Sequence, residues 1–178
     1  GKCIDTSMGF TPLAGVPMGT RSGDIDAAAV EFLCRKKGMN IHDGLTYLNK
    51  KCGMLGVSGV SSDYRDLTAA AKEGNYRAQL ALNMFSYACK KYVGSYMAAL
   101  GGLDVIVFTA GVGENTPHIR ASILKDMEFF GIEIDEAKNN YKNDGAIHEI
   151  SKDGSRVKVL VIPTNEELVI ARETAALL

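Results

Sequence analysis

From about residue 27 to residue 100 the hydrophobic pattern of this chain is helical, and beyond that it alternates between strand and helix. From Ala27 through Val30, Phe32 and Leu33, apolar positions recur at helical spacing; Asp24 or Asp26 supplies a cap, and Arg35-Lys36-Lys37-Gly38 supplies base and a stop. A shorter helix fits Ile41 to Lys51, with Leu45 and Leu48 on one side and Gly53 as its stop. The polar turn Val57 to Ser62 follows, and a third helical pattern runs from Asp63 through Leu67 to Gly74. From Asn75 to about Leu100 the chain reads as one long helix. Its apolar residues, among them Leu80, Leu82, Met84, Phe85, Tyr87, Val93, Tyr96 and Met97, fall on nearly every face, which is the pattern of a central, buried helix.

Past residue 103 the period changes. Val105, Ile106, Val107 and Phe108 read as a strand buried on both faces, followed by a helix over 116–128. A short Ile132-Glu133-Ile134 strand, a polar helix or turn over 135–142, a strand near Ala146 to Ile150 and a hairpin-like Lys152 to Ser155 come next. The apolar run Val157 to Ile162 then delivers a polar loop to a closing helix. Met127, Phe129 and Phe130 are expected in the core. Interleaved strands and helices make the class α/β. The opening Gly1 to Asp5 lacks an initiator Met and reads as a strand already under way, as expected of a fragment.

Composition narrows the function. With 178 residues, 46% hydrophobic and 23% charged, the chain can bury a core as one domain or a tight pair of lobes. A net charge of −1 and a pI near 6.3 provide no global field for nucleic acid or anionic lipid. No apolar run reaches the roughly 20 residues of a membrane span and no signal peptide opens the chain, so a cytoplasmic protein is expected. Cys3, Cys34, Cys52 and Cys89 are widely separated, without a Cys-x-x-Cys pair, and read as reduced, structural thiols.

Candidate chemistry gathers at four places. After the strand at 105–108, Gly111 and Gly113 permit positive φ and close backbone approach, Asn115 can cap the next helix, and Pro117 sits in its first turn. Such a turn offers N–H groups and a helix dipole to an anion, though an ordinary strand-to-helix turn has the same grammar. A second junction, Thr164 to Glu167, is expected at the same end of one sheet, where ligands of open α/β folds bind. Glu166 and Glu167 can hold Mg²⁺ there, directly or through water, or merely complement a helix N-terminus. Arg21, in the Gly-, Pro-, Thr- and Ser-rich loop of residues 6–24, can clasp phosphoryl or carboxylate oxygens or form a surface ion pair with Asp24 or Asp26. Asp63 and Arg65 can meet a ribose or base edge with Tyr64 nearby, or simply belong to a capped surface helix. His42, His118 and His148 have no Ser or Cys partner arrangement and read as solvated or locally bonded.

Four segments together carry a resemblance. Asp5-Thr-Ser-Met-Gly-Phe-Thr-Pro-Leu13, Met18-Gly-Thr-Arg-Ser-Gly-Asp-Ile-Asp26, Phe108-Thr-Ala-Gly-Val-Gly-Glu-Asn115 and Ile162-Pro-Thr-Asn-Glu-Glu-Leu168 occur in the order found in acetate kinases, which the chain resembles over essentially its whole length. That resemblance implies an actin-like ATPase, ribonuclease-H-like fold and reversible phosphoryl transfer between ATP and acetate, giving ADP and acetyl phosphate. It further implies Mg²⁺ as cofactor, with Mn²⁺ as an alternative ion. By the same resemblance Arg21 matches the arginine that stabilises the transferring phosphoryl group. Asp63, Tyr64 and Arg65 match adenosine contacts, Gly111, Val112, Gly113, Glu114 and Asn115 match the adenosine and phosphate loop, and Glu166 matches the magnesium ligand. The family's N-terminal phosphate turn, its second Arg, its Asp, its His and its His-Leu-Gly-Asn-Gly loop have no counterpart here. Residues 1–178 are accordingly expected to form the C-terminal nucleotide-binding domain, inactive alone, with the N-terminal domain absent from the chain. Subunits of the family pair through this domain, and helix 75–100 is a candidate contact. A propionate kinase, or a nucleotide-binding or dimerisation module without turnover, are the alternatives.

Overall fold

Side-chain caps decide where most helices of the first half begin. In the computed structural model, which describes residues 2–177, Asp26 accepts the Ala28 N–H and opens α1 (Ala27–Lys37), and Asn40 accepts the Asp43 N–H and opens α2 (Ile41–Lys50). After α3 (Gly53–Ser58), which has no side-chain cap, Asp63 opens α4 (Tyr64–Lys72) and Asn75 opens α5 (Tyr76–Leu100). The expected polar turn at 57–62 is thus partly helical, and Gly53 starts a helix rather than ending one. Lys2 to Asp5 join no strand, and Gly1 lies outside the described residues.

These helices belong to the first of two compact units, Gly1–Gly102. There α3 and α4 both pack on α5, and α1 packs on α2. Leu48, Met54, Leu67, Ala78, Ala81 and Leu82 form the buried core. The long helix is not buried all round, as its sequence suggested: Ala78, Ala81, Leu82, Ser86 and Met97 face the interior, whereas Tyr76, Leu80, Met84 and Tyr87 stay exposed. Two short helices can cover one side of a 25-residue cylinder, and the opposite apolar stripe is left without a layer above it.

The second unit, Leu103–Leu178, is built on a three-stranded sheet of order β1-β3-β2. Strand β1 (Val105–Phe108) leads into the short α6 (Ala110–Asn115) and then α7 (Pro117–Leu124), a 3₁₀ turn Glu128–Phe130, and α8 (Glu136–Asn139). The chain returns through β2 (His148–Glu149) and β3 (Lys158–Val161) and ends in α9 (Glu166–Ala175). Strands β1 and β3 are parallel, with Phe108 opposite Val161, while β2 and β3 are antiparallel. The expected strand at 132–134 is reduced to two isolated bridges, Ile132 with Val157 and Ile134 with Ser151.

Ile106, Ile119, Ile123, Leu124, Met127, Ile132, Ile150, Val157, Val159 and Val161 fill this unit's core. Strand β1 departs from expectation, since only Ile106 is buried and Val105 and Val107 remain 41% and 48% exposed. Side chains alternate across a strand, and at this edge of the sheet one face has no cover. Phe129 is 79% exposed rather than in the core, because the 3₁₀ turn leaves it outside, tilted against Phe130 at a centroid distance of 3.9 Å.

Leu67 has no exposed surface and sits where α4 meets α5. Leu67→Ala should therefore destabilise the first unit by about 2–5 kcal/mol in denaturant unfolding. A loss below ~1 kcal/mol would mean that the site collapses freely and that this contact is not central.

Candidate functional site

Arg21 sits in irregular backbone that is nonetheless tightly held. Ser22 N–H donates to Leu48 O, Cys52 N–H to Thr20 O, Met54 N–H to Met18 O, Leu55 N–H to Gly19 O and Met18 N–H to Arg21 O, all between 2.9 and 3.0 Å. The loop thus satisfies its polar groups against residues 48–55 without forming a strand. Gly53 makes this possible: its φ is +57°, and a Cβ there would lie 2.1 Å from Met18 O and 2.6 Å from Arg21 O. At the other end of the loop, the Asp24 carboxylate accepts the Gly15 N–H at 2.8 Å and the Tyr92 hydroxyl. That bond pushes the Tyr92 hydroxyl up to about 12.

Asp24 is occupied in this way, and Asp26 caps α1, so neither pairs with Arg21. Among the described residues the half-buried guanidinium reaches only the Met18 sulfur, at 3.5 Å. It lines an open concavity of about 710 Å³ together with Thr46, Asn49, Lys50 and Ser62. Lys50 was not singled out in the sequence, where it looked like an ordinary helix-end lysine. Among the described residues no carboxylate pairs with either cation, so the concavity suits an anion. A second, more apolar cavity of about 720 Å³, lined by Pro17, Met54, Met84, Tyr87 and Tyr92 among others, holds none of the candidates.

Asp63, Tyr64 and Arg65 serve α4 in three ways. Asp63 accepts the Arg65 N–H at 2.8 Å and the Arg65 guanidinium at 2.6 Å. Those bonds, led by the side-chain one, hold its carboxyl down to about 2. Tyr64 packs edge-on against Phe85 at 4.9 Å, and burial raises its hydroxyl far above the ordinary range. Arg65 is mostly exposed, so Arg65 is the member of this trio best placed to meet a ligand.

In the second unit, the parallel pairing of β1 and β3 brings the two strand-to-helix junctions to one end of the sheet, as expected. The Thr109 and Thr164 hydroxyls lie 2.7 Å apart, Ala110 N–H donates to Thr164 Oγ1 at 3.0 Å, and Thr164 N–H donates to Glu114 Oε1 at 2.9 Å. The glycine loop differs from expectation. Residues 110–115 form helix α6, positive φ falls on Ala110 (57°) rather than on Gly111 or Gly113, and Asn115 does not cap α7. Asn115 instead donates to Gly111 O at 3.0 Å and accepts from Asn143 at 2.9 Å, while Thr116 precedes Pro117 at the start of α7. Gly113 is closely packed, since a Cβ there would approach Phe108 C at 3.3 Å, whereas Gly111 faces open space.

Glu166 and Glu167 occupy the first turn of α9, whose cap is Asn165. Both are exposed, and among the described residues neither carboxylate has a hydrogen-bond or ion-pair partner. The described residues hold no cluster of three metal-binding side chains. A lone carboxylate fits Mg²⁺, which keeps several waters and takes ligand phosphates, better than a cation needing a full protein cage. Elsewhere, burial pushes the Cys89 thiol up to about 12 and raises Cys52, which leaves both poor nucleophiles. His148 is locally bonded to Asp144 at 2.7 Å and stacked on Tyr141.

Residues 1–172 match the model of the acetokinase family. The acetate kinase of Caldicellulosiruptor saccharolyticus is 57% identical over 178 residues, all of this chain but 45% of that protein. Among solved structures, the acetate kinase of Porphyromonas gingivalis superposes with a TM-score of 0.90 at 49% identity, covering 96% of this chain and 42% of that one. A propionate kinase from Francisella tularensis gives 0.87 at 40% identity, covering 96% and 43%. The chain thus spans less than half the length of the relatives it matches, and its mixed α/β architecture is that of the actin-like ATPase fold.

Two stability measurements check this geometry. Gly53→Ala should cost about 1–3 kcal/mol or more, from positive φ and from contact with the loop carrying Arg21; near-wild-type stability would show that the loop yields easily. For Asp63, the lowered carboxyl stabilises the folded state above its unfolded value of 3.8, and that contribution fades as pH falls through about 2. The advantage of wild type over Asp63→Asn should accordingly be full above pH ~4 and vanish near pH 2 in pH-dependent unfolding. An advantage constant across that window would remove Arg65 as the cause.

Proposed function

The chain belongs to the acetokinase family, and on that premise we propose that it serves reversible phosphoryl transfer between ATP and acetate. A carboxylate oxygen of acetate attacks the γ-phosphorus, the bond from that phosphorus to the β–γ bridging oxygen breaks, and ADP leaves. Catalysis of this kind rests on positioning and charge neutralisation. Arg21 is assigned to the phosphoryl oxygens, and one observation carries the assignment: the loop that bears it is fixed by a set of hydrogen bonds while, among the described residues, its guanidinium has no carboxylate partner. A cation held in place and left unpaired is available for charge that develops during transfer.

Asp63, Tyr64, Arg65 and Gly111 to Asn115 are assigned to the nucleotide, with Tyr64 acting through packing and the α6 segment through its backbone. Glu166 would hold Mg²⁺, which would supply positive charge to the phosphate oxygens. As a C-terminal, nucleotide-binding domain, the chain provides part of the apparatus and is inactive alone. The same reading places the protein in the cytoplasm; among the described residues no helix is long and apolar enough to cross a membrane. A homodimer through this domain is supported by the uncovered stripe Tyr76, Leu80, Met84 and Tyr87 on α5. Likeness to a propionate kinase keeps a three-carbon acyl substrate as the second reading.

Steady-state kinetics of the full-length protein test the role of Arg21. Arg21→Ala should lower kcat by on the order of 10²- to 10³-fold with a smaller change in KM for ATP, and Lys should rescue only in part because it lacks the planar fork. A kcat within a few-fold of wild type would reduce Arg21 to a loop residue. Glu166→Gln should raise the Mg²⁺ concentration giving half-maximal rate, whereas Glu167→Gln, which removes the same charge from the same helix turn, should be milder. Equal shifts, or a shift in Glu167→Gln alone, would overturn the metal assignment.

A further inference from the structure

Arg120 is the one charged side chain among the described residues that is essentially sealed from solvent, at 1% exposure. It lies on α7 among Ile119, Ile123 and Leu124, and no carboxylate of the described residues pairs with it. Its partners are carbonyls. Nη1 donates to Gly113 O at 2.7 Å and Glu114 O at 2.9 Å, Nε donates to Asn139 Oδ1 at 2.8 Å, and Nη2 donates to Asn139 O at 2.6 Å. Asn139, also buried, completes the set by donating to Pro117 O at 2.9 Å. The guanidinium lies over the Tyr141 ring at 5.3 Å, and the Tyr141 hydroxyl reaches Glu114 O at 3.4 Å.

The location of those carbonyls gives the arrangement its meaning. Gly113 and Glu114 stand in the last turn of α6, where carbonyls lack intrahelical donors and the helix dipole is negative. Helix α6 has six residues, two of them glycine, so intrinsic propensity does not hold it together. Its final turn is bonded to a buried cation. Glu114 extends the effect, because while its backbone carbonyl is held by Arg120 its carboxylate accepts the Thr164 N–H, at the start of the loop that carries Glu166.

We propose that Arg120 is a positioning residue for nucleotide binding: its fork onto Gly113 and Glu114 sets the α6 segment and, through Glu114, sets the Thr164–Glu166 loop against it. The proposal rests on the reading that Gly111 to Asn115 contact the nucleotide. Arg120 itself touches no ligand. A residue acting in this way controls affinity for the nucleotide more than the chemical step, and it leaves the acetate side unaffected. A residue serving stability alone would not separate the two substrates.

The test uses the full-length protein with Arg120→Met and Arg120→Lys, the second keeping the charge but offering one donor group where the fork offers three nitrogens. Calorimetry with ADP and steady-state kinetics with ATP and acetate are the readouts. Expected results are an ADP Kd raised at least 10-fold in Arg120→Met, an intermediate rise in Arg120→Lys, KM for acetate within 2-fold of wild type, and kcat altered less than KM for ATP. Hydrogen exchange in Arg120→Lys should show residues 110–115 and 164–167 losing protection together, which remains readable if Arg120→Met does not fold. A Kd within 2-fold of wild type in folded Arg120→Lys with unchanged exchange at those segments overturns the proposal, as do equal increases in KM for both substrates. Wild-type protein that binds no ADP would instead sink the nucleotide reading, and the proposal with it.

Discussion

Parallel pairing of β1 with β3 is the constraint on which the second unit depends. Parallel neighbours require a long crossover, and the register that sets Phe108 opposite Val161 makes both chains leave the sheet at the same end. Two junctions separated by some fifty residues of sequence thereby come within hydrogen-bond reach. Thr109, Ala110, Glu114 and Thr164 then connect them directly, so the glycine-rich segment and the carboxylate loop form one structural piece. Antiparallel pairing of the same strands would send them to opposite ends.

The first unit solves a related problem by different means. No strand carries Arg21; irregular backbone does, and such backbone must find partners for every buried N–H and C=O. Residues 48–55 provide them, at the cost of a glycine at position 53 whose missing side chain leaves room for two carbonyls. In the first unit main-chain bonds hold the loop that carries Arg21, whereas in the second the segments are tied by side-chain bonds from Thr164, Glu114 and Arg120.

Those differences explain what the sequence disclosed. Helix starts near Asp26, Asp63 and Asn75 were legible because a cap is a local event read from a few residues, although Asp24 stood beside Asp26 as a candidate and Asn40 was not named as the cap of α2. The two strand-to-helix junctions and the four family segments were legible for the same reason. The burial of α5 and β1 was not, because periodicity records which residues are apolar and not whether another layer covers them; hence Tyr87 and Val107 lie exposed. Gly111 and Gly113 pointed to a turn with positive φ and close backbone approach and instead belong to helix α6. Arg120 carried only a weak local signal, an arginine between Ile119 and Ile123 in a turn it shares with Ala121 and Ser122. Its partners at Asn139 and Tyr141 come from a distant turn that no short window includes.

Strand β1 has a further consequence, in solution behaviour. It ends the sheet, its outer backbone groups have no ladder partner among the described residues, and Val105 and Val107 present branched apolar side chains beside that open row. Exposed hydrophobic edges without a lysine, proline or bulge to block them are templates for pairing with another chain, and here the four-residue length of β1 is the one restraint on it. Material of this length handled by itself is therefore prone to sheet-to-sheet association through β1, most of all at high concentration and near its isoelectric point, where charge repulsion is weakest.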